Sequence, residues 1–220
     1  MTKYGKDVIW KAFVVSSILI FISFFFELKS IRIILLIISL LILTFTLYFF
    51  RDPERKPEKS SDIDSLILSP ADGKIIKIEK ITNPYKSILN NETYIQISIF
   101  MSPLNVHVNR IPVSGKVIYL NHIKGKFKAA FADKSSNLNE RTEIAIDSGK
   151  SIILFKQIAG FVARRIVCDL KEGDMVKSGM RFGMIKFGSR IDLYIPDNAE
   201  ILINTGNKVK AGVTVIAKLI

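Results

Sequence analysis

The chain has 220 residues, 49% of them apolar, and 32 Lys and Arg against 20 Asp and Glu give it a net charge of +12. That length holds one ordinary domain plus an accessory segment, and a charge of this sign draws a protein toward nucleic acid or an anionic membrane surface. A single cysteine excludes an internal disulfide and a multi-cysteine zinc site, and two histidines argue against a histidine-rich metal centre.

Apolar residues are concentrated before Arg51. Ala12 to Phe26 is interrupted only by serines, and Ile33 to Phe50 only by Ser39, Thr44 and Thr46. Each run is near the roughly 20 residues that cross hydrocarbon as a helix. The break from Glu27 to Arg32 turns the chain between them, so residues 1–50 are expected to form a transmembrane helical hairpin. No small-residue cleavage site follows the first run, which argues against a removed leader. Lys3, Lys6 and Lys11 precede the hairpin, and Arg51, Arg55, Lys56 and Lys59 follow it. By the positive-inside rule both ends lie in the cytoplasm, which puts the remaining chain on the cytoplasmic face of the cell membrane. Residues 51–61 are polar and broken by Pro53 and Pro57, and read as a linker.

From residue 62 to 220 the pattern changes to short β-branched runs with frequent glycine: Lys74 to Ile81, Tyr94 to Phe100, Lys116 to Leu120, Thr142 to Ile146, Ser151 to Phe155, Phe161 to Leu170 and Ile191 to Ile195. These predict the strands of a mainly β domain. Asn121 to Asn139 is basic and reads as a long loop. Cys168, in Ile166-Val167-Cys168, reads as a core position. Two internal similarities stand out. Pro70-Ala71-Asp72-Gly73-Lys74-Ile75 is similar to Pro112-Val113-Ser114-Gly115-Lys116-Val117. Gly173-Asp174-Met175-Val176-Lys177-Ser178-Gly179 is similar to Gly206-Asn207-Lys208-Val209-Lys210-Ala211-Gly212. The glycines suit tight turns with positive φ. Such turns resemble those of lipoyl and biotinyl carrier domains, the barrel-sandwich type, a likeness of fold that leaves function open.

Residue types alone leave the chemistry open. Gly188-Ser189 lacks a Gly-x-Ser-x-Gly elbow. A serine nucleophile needs a base and an orienting group. His107 sits in Val106-His107-Val108 between strand residues, and His122 in the basic loop. Asp72 sits in a Pro-Ala-Asp-Gly turn, where ordinary turn chemistry also explains it. A relay of Asp72, His107 and Ser189 competes with a core histidine and a plain turn.

A set of motifs in fixed order is more specific. Ser69-Pro70-Ala71-Asp72-Gly73 is followed by Phe100-Met101-Ser102-Pro103-Leu104-Asn105-Val106-His107-Val108-Asn109-Arg110. Then come Gly125-Lys126-Phe127, Ala130-Phe131, Asn139-Glu140-Arg141 and Ala163-Arg164-Arg165-Ile166, and last Gly179-Met180-Arg181-Phe182-Gly183-Met184-Ile185-Lys186-Phe187-Gly188-Ser189-Arg190. Over nearly the whole chain this resembles the phosphatidylserine decarboxylase proenzymes, in their short bacterial and archaeal form.

The resemblance implies that Ser189 attacks the carbonyl of Gly188 and that the chain breaks there without hydrolysis. A β chain of residues 1–188 and an α chain of residues 189–220 result, the latter carrying a pyruvoyl group made from Ser189. That group bonds the serine amine of phosphatidylserine and takes up electrons as CO₂ leaves. No metal and no pyridoxal phosphate are implied. His107 is the implied base of self-cleavage, oriented by Asp72. Two positions depart from longer members of the family. Arg110 stands where they carry a second histidine, and Arg190 where they carry threonine. Arg110 and Arg190 are candidate contacts for the substrate phosphate or carboxylate, while a structural arginine remains the alternative at position 190. The partner expected is phosphatidylserine in an anionic membrane, with no nucleic acid, because aromatic residues are scarce where the basic charge lies. A homo-oligomer is compatible with the sequence.

The competing reading is a membrane-tethered barrel-sandwich adaptor or carrier without catalysis. A carrier displays its modified lysine at a hairpin tip between methionines, and Met184-Ile185-Lys186 is the nearest match. A glycine-turn metallopeptidase is disfavoured by the lack of a His-x-His pair.

Overall fold

The computed structural model of the chain describes residues 1–56, 63–90, 92–125, 139–160, 165–186 and 189–220. Its contacts divide into two units, Met1–Pro53 and Glu54–Ile220.

The first unit holds α1 (Lys6–Ser23) and α2 (Lys29–Phe49). Neither contains Gly or Pro, so nothing interrupts helix propagation along the apolar runs. The helices meet through polar residues. Ser16 and Ser39 are buried and exchange bonds, each hydroxyl donating to the other's carbonyl at 3.3 and 3.2 Å. In a low-dielectric setting such serine pairs hold helices together, because apolar side chains there gain little by meeting. The amide of Thr2 donates to the carbonyl of Phe50, joining the two ends of the hairpin. Glycine is required at position 5, where a Cβ would lie 2.0 Å from the Phe50 ring. Among the described residues α2 is the one helix long and apolar enough to cross a membrane. By length and composition α2 could cross as expected, while α1 has 18 residues and carries Lys6, Asp7 and Lys11 in its first two turns.

The second unit is mainly β, as expected, and among the described residues every strand pairing is antiparallel. In chain order the strands are β1 (Leu66–Leu68), β2 (Gly73–Thr82), β3 (Thr93–Met101), β4 (Val108–Arg110), β5 (Gly115–Ile123), β6 (Arg141–Asp147) and β7 (Ile152–Ala159). They continue with β8 (Arg165–Cys168), β9 (Met175–Val176), β10 (Arg181–Lys186), β11 (Ser189–Pro196), β12 (Glu200–Ile201), β13 (Lys208–Val209) and β14 (Val215–Lys218). One sheet has the order β13-β2-β3-β11-β7-β6-β5-β9; two small sheets are β4-β10-β8 and β1-β14-β12. One core draws on all three, with Ile97, Phe155, Ile191 and Leu193 from the large sheet, Phe182 and Ile185 from β10, and Ile216 from β14. Closing three sheets on one core matches the barrel-sandwich expectation.

The strand pattern extends beyond the sequence reading. Asn121 to Ile123, expected in a loop, continue β5 and pair with Arg141 to Glu143, so His122 lies on a strand. Residues 126–138 of the expected loop lie outside the described residues, as do 161–164 of the expected Phe161 to Leu170 strand. Cys168 is half-buried, and burial pushes its thiol up to about 11.

The two internal similarities form one pseudo-twofold unit. Gly173, Gly179, Gly206 and Gly212 all adopt positive φ, from 68° to 94°. The Gly173 amide donates to Val117, and its counterpart Gly206 to Ile75, both at 2.8 Å; Gly179 donates to Ile111 and Gly212 to Ser69. The copies also interlock, with Leu68 donating to the Pro112 carbonyl and Arg110 to that of Pro70.

Candidate active site

Ser189 opens β11, a central strand of the large sheet. It pairs with Met101 on β3 and Ala159 on β7, and it is fully buried. Side chains alternate along a strand, so Ser189 faces the core with Ile191 and Leu193 while Arg190 faces the other side with Asp192 and Tyr194. The Ser189 hydroxyl rests on the Met101 sulfur at 3.2 Å. The same sulfur receives the Asn109 side-chain amide at 3.8 Å, and the Asn109 oxygen accepts from Gln157 at 2.9 Å. Met101, Asn109 and Gln157 are fully buried. A thioether is a weak acceptor, so the serine hydroxyl is shielded from water while remaining only loosely held. Gly188, the partner in the expected cleaved bond, lies outside the described residues.

His107 is fully buried just before β4, which pairs with β10, the strand leading toward Ser189. Its Nδ1 lies 2.9 Å from the carbonyl of Asn105. A carbonyl only accepts, so Nδ1 carries the hydrogen and Nε2 is the basic atom. Asn105 is itself fixed, its side-chain oxygen accepting from the amide and hydroxyl of Ser102 at 2.8 Å each. His122, by contrast, bonds Thr142 at 3.0 Å and lies 3.7 Å from Glu140.

Asp72 is buried in the turn entering β2. Arg55 grips both of its oxygens, at 2.8 Å for the second, and the Ala211 amide donates to the first at 2.8 Å. Arg55 also donates to the Ala211 carbonyl. Among the described residues Asp72 makes no hydrogen bond to His107; the Asn105 carbonyl holds the imidazole tautomer here. The internal repeat separates two roles for Asp72. At the equivalent place in the other copy, Ser114 accepts the Ser178 amide at 3.1 Å. The turn therefore needs an acceptor, which serine supplies, and does not need a charge.

The two candidate arginines sit elsewhere. Arg110 is buried and donates to the Gly179 carbonyl at 3.0 Å, across β4 and β10 from Arg181. Arg190 is buried against Asp192 at 2.9 Å, and Asp192 also accepts from Ser98 at 2.7 Å. This second face of the sheet carries further charge. Lys156 lies between the rings of Tyr85 and Tyr194, 4.7 and 4.8 Å from their centroids, and burial pushes it down to about 8. Burial also pushes both phenols above their ordinary value.

A cavity of about 460 Å³ opens beside Asp72, lined also by Phe100, Ser102, Asn105, Lys74, Lys208 and Lys210. Among the described residues no cluster of His, Cys, Asp and Glu could hold a metal ion. Lys186, the only counterpart to a carrier lysine, is buried at the end of β10 rather than displayed at a tip. Sequence reasoning missed Met101, Asn105, Asn109 and Gln157 as neighbours of the site. It also missed Arg55, which had read as one charge among several in a linker.

Comparison with known proteins bears on this arrangement. The family model described as phosphatidylserine decarboxylase matches residues 42–217. A phosphatidylserine decarboxylase proenzyme of Chlorobium luteolum is 45% identical over 99% of both chains. One from Pelodictyon phaeoclathratiforme is 49% identical over 81% of both. One from the Wolbachia of Brugia malayi is 50% identical over 78% of this chain and 74% of its own.

Proposed function

The chain belongs to the phosphatidylserine decarboxylase family of carboxy-lyases, and on that premise we propose that it is a self-processing proenzyme whose Ser189 becomes the reactive group. The observation that carries this reading is Ser189 itself, fully buried at the head of a central strand with its hydroxyl on a thioether rather than on a strong partner.

Self-cleavage needs the hydroxyl to attack the carbonyl carbon of Gly188 while a base takes its proton. The Gly188–Ser189 peptide bond becomes an ester as the amide nitrogen is protonated. Removal of the Ser189 α-hydrogen then expels the ester oxygen, leaving Gly188 with a free carboxylate and residue 189 with a carbon–carbon double bond. Tautomerisation and hydrolysis release ammonia and leave a pyruvoyl group at the head of residues 189–220. His107 is the base in this account, with Nε2 as its basic atom because the Asn105 carbonyl fixes the hydrogen on Nδ1. Asp72, its carboxylate held by Arg55 and the Ala211 amide, is the orienting group in this account, acting through the cavity lining that it shares with Asn105.

The site suits such a group. Met101, Ile191 and Ala159 surround the head of β11 with apolar atoms that exclude water from a carbonyl. When formed, the pyruvoyl carbonyl supplies the electron sink for loss of CO₂ from the serine headgroup. This chain's residues have three tasks: holding the headgroup, keeping water out, and moving protons at Nε2 of His107. Arg190 and Arg110, engaged with Asp192 and Gly179, serve the frame of the site rather than the substrate. Anchoring is assigned to α2, with the β unit on the cytoplasmic face, as the flanking lysines and arginines favour.

The test compares two histidine variants. His107→Ala should leave a full-length chain on a denaturing gel, whereas His122→Ala should process like wild type. Equal processing of both would remove His107 from the mechanism.

A further inference from the structure

The cavity beside Asp72 has a mouth lined by three lysines that nothing in the fold requires. Lys208 on β13 lies directly opposite Lys74 on β2, and Lys210 follows one residue beyond that strand. All three are exposed, and among the described residues none has an acidic partner. Like charges placed directly across two antiparallel strands are destabilising. Elsewhere on β2 the lysines are matched, Lys77 with Glu79 and Lys80 with Asp197, both at 2.8 Å.

The internal repeat shows that the lysine pair is not a demand of the turn. In the other copy the residue opposite Lys116 is Met175, and that turn forms the same backbone bonds. Among the described residues the one acid lining the cavity, Asp72, is paired with Arg55. Among the described residues the lining therefore carries three positive charges with no acidic partner, together with Phe100, Ser102 and Asn105. At about 460 Å³ the space suits a small polar ligand or a headgroup.

We propose that Lys74, Lys208 and Lys210 form a cradle for a phosphate ester anion, and that its occupant is the phosphodiester of the lipid headgroup. The second part rests on the reading of Ser189 as the reacting end. The cavity lining supports it. Lys74 shares the sheet face of Arg190, matched to it through Phe100, so the link to Ser189 runs through other residues of the lining: Ser102 follows Met101, the strand partner of Ser189, and the Asn105 carbonyl bonds His107. A headgroup held by its phosphate at the mouth then extends its serine toward Ser189. A point charge on a flexible stem suits such an anion, which is met from several directions.

The experiment uses the full-length protein in nonionic detergent, with Lys74, Lys208 and Lys210 replaced together by Gln or together by Arg. Dihexanoyl phosphatidylserine serves as substrate, and calorimetry reads binding of that lipid and of inorganic phosphate. In the Gln variant KM should rise about tenfold or more with kcat within about twofold, and self-processing should be normal. The Arg variant should restore KM, which a merely structural disturbance would not allow. An unchanged KM in a processed Gln variant overturns the cradle. Inorganic phosphate binding wild type as tightly as the lipid overturns the headgroup assignment in favour of a free-phosphate site. If wild type binds the lipid in a lysine-dependent way yet releases no CO₂, the cradle stands and the decarboxylase reading fails.

Discussion

The pairing of Arg55 with Asp72 allows a quantitative test, because the internal repeat supplies its own control. Arg55 and Asp72 each have side chains only 11% exposed and meet through two charge-assisted contacts. Arg55→Met leaves the carboxylate with the Ala211 amide alone. Asp72→Ser keeps an acceptor for that amide, as Ser114 does for Ser178, but leaves the guanidinium without its acid. Breaking a fully buried pair costs about 3–5 kcal/mol, and residual exposure lowers this to about 2–3 kcal/mol for each single change. For a unit of this size that corresponds to a fall in Tm of roughly 4–12 °C. The double variant removes both charges and reproduces the chemistry of the other copy, so it should recover at least 1 kcal/mol relative to the sum, by the usual size of coupling between contacting residues. Thermal unfolding of the detergent-solubilised protein on a Ser189→Ala background reads this without interference from cleavage. On the Ser189 background the double variant should fold and yet process slowly, since the Asp72 carboxylate is gone. Purely additive losses would refute the coupling. Full processing by a stable double variant would remove Asp72 from the self-cleavage account.

Two further outcomes follow from the fold. Lys156 is held at about 8 by burial, below its ordinary 10.5. The unfolded chain therefore binds more protons than the folded one between those values, and stability should rise as pH increases from 8 toward 10, by up to about 3 kcal/mol. Above pH 10 the trend should reverse, because Tyr85 and Tyr194 resist ionisation in the fold but not in the unfolded chain. Lys156→Met should flatten the rise in a pH series of thermal melts, and an unaltered slope would assign it to other groups. Gly173 and Gly212 share positive φ, but only at Gly212 would a Cβ press on a neighbour, the Arg110 side chain at 2.7 Å. Gly173→Ala should cost about 1–2 kcal/mol for the backbone alone, and Gly212→Ala clearly more; equal losses would show that Arg110 yields freely.

Much of the architecture was legible because it follows from periodicity and glycine placement. The apolar runs mark α1 and α2, and the repeated Gly-x-x-Val-x-x-Gly spacing marks four positive-φ turns. The misses have physical causes. β10 contains Gly183, which reads as a break in a strand. In the fold it lets the Val167 carbonyl approach to where a Cβ would sit, 2.1 Å away. Asn121 to Ile123 read as loop because they are polar, although the pairing partner Arg141 to Glu143 completes them as strand. β11, expected over Ile191 to Ile195, starts earlier at Ser189, and the Arg190–Asp192 pair lets two charges lie inside a strand buried along its whole length. Ser189, His107 and Asp72 were nameable from the motifs. Met101 and Arg55 come to them by chain crossings that no local pattern encodes, whereas Asn105, two residues before His107, acts through a backbone carbonyl that residue type does not reveal.

The central claim, that Ser189 is the residue at which the chain breaks and gains its reactive group, is tested most directly by intact-mass spectrometry of the purified protein under denaturing conditions. The account expects two polypeptides, residues 1–188 and 189–220, the smaller with a pyruvoyl N-terminus, and a single full-length chain for Ser189→Ala. A wild-type protein that decarboxylates phosphatidylserine while remaining one intact chain would contradict it.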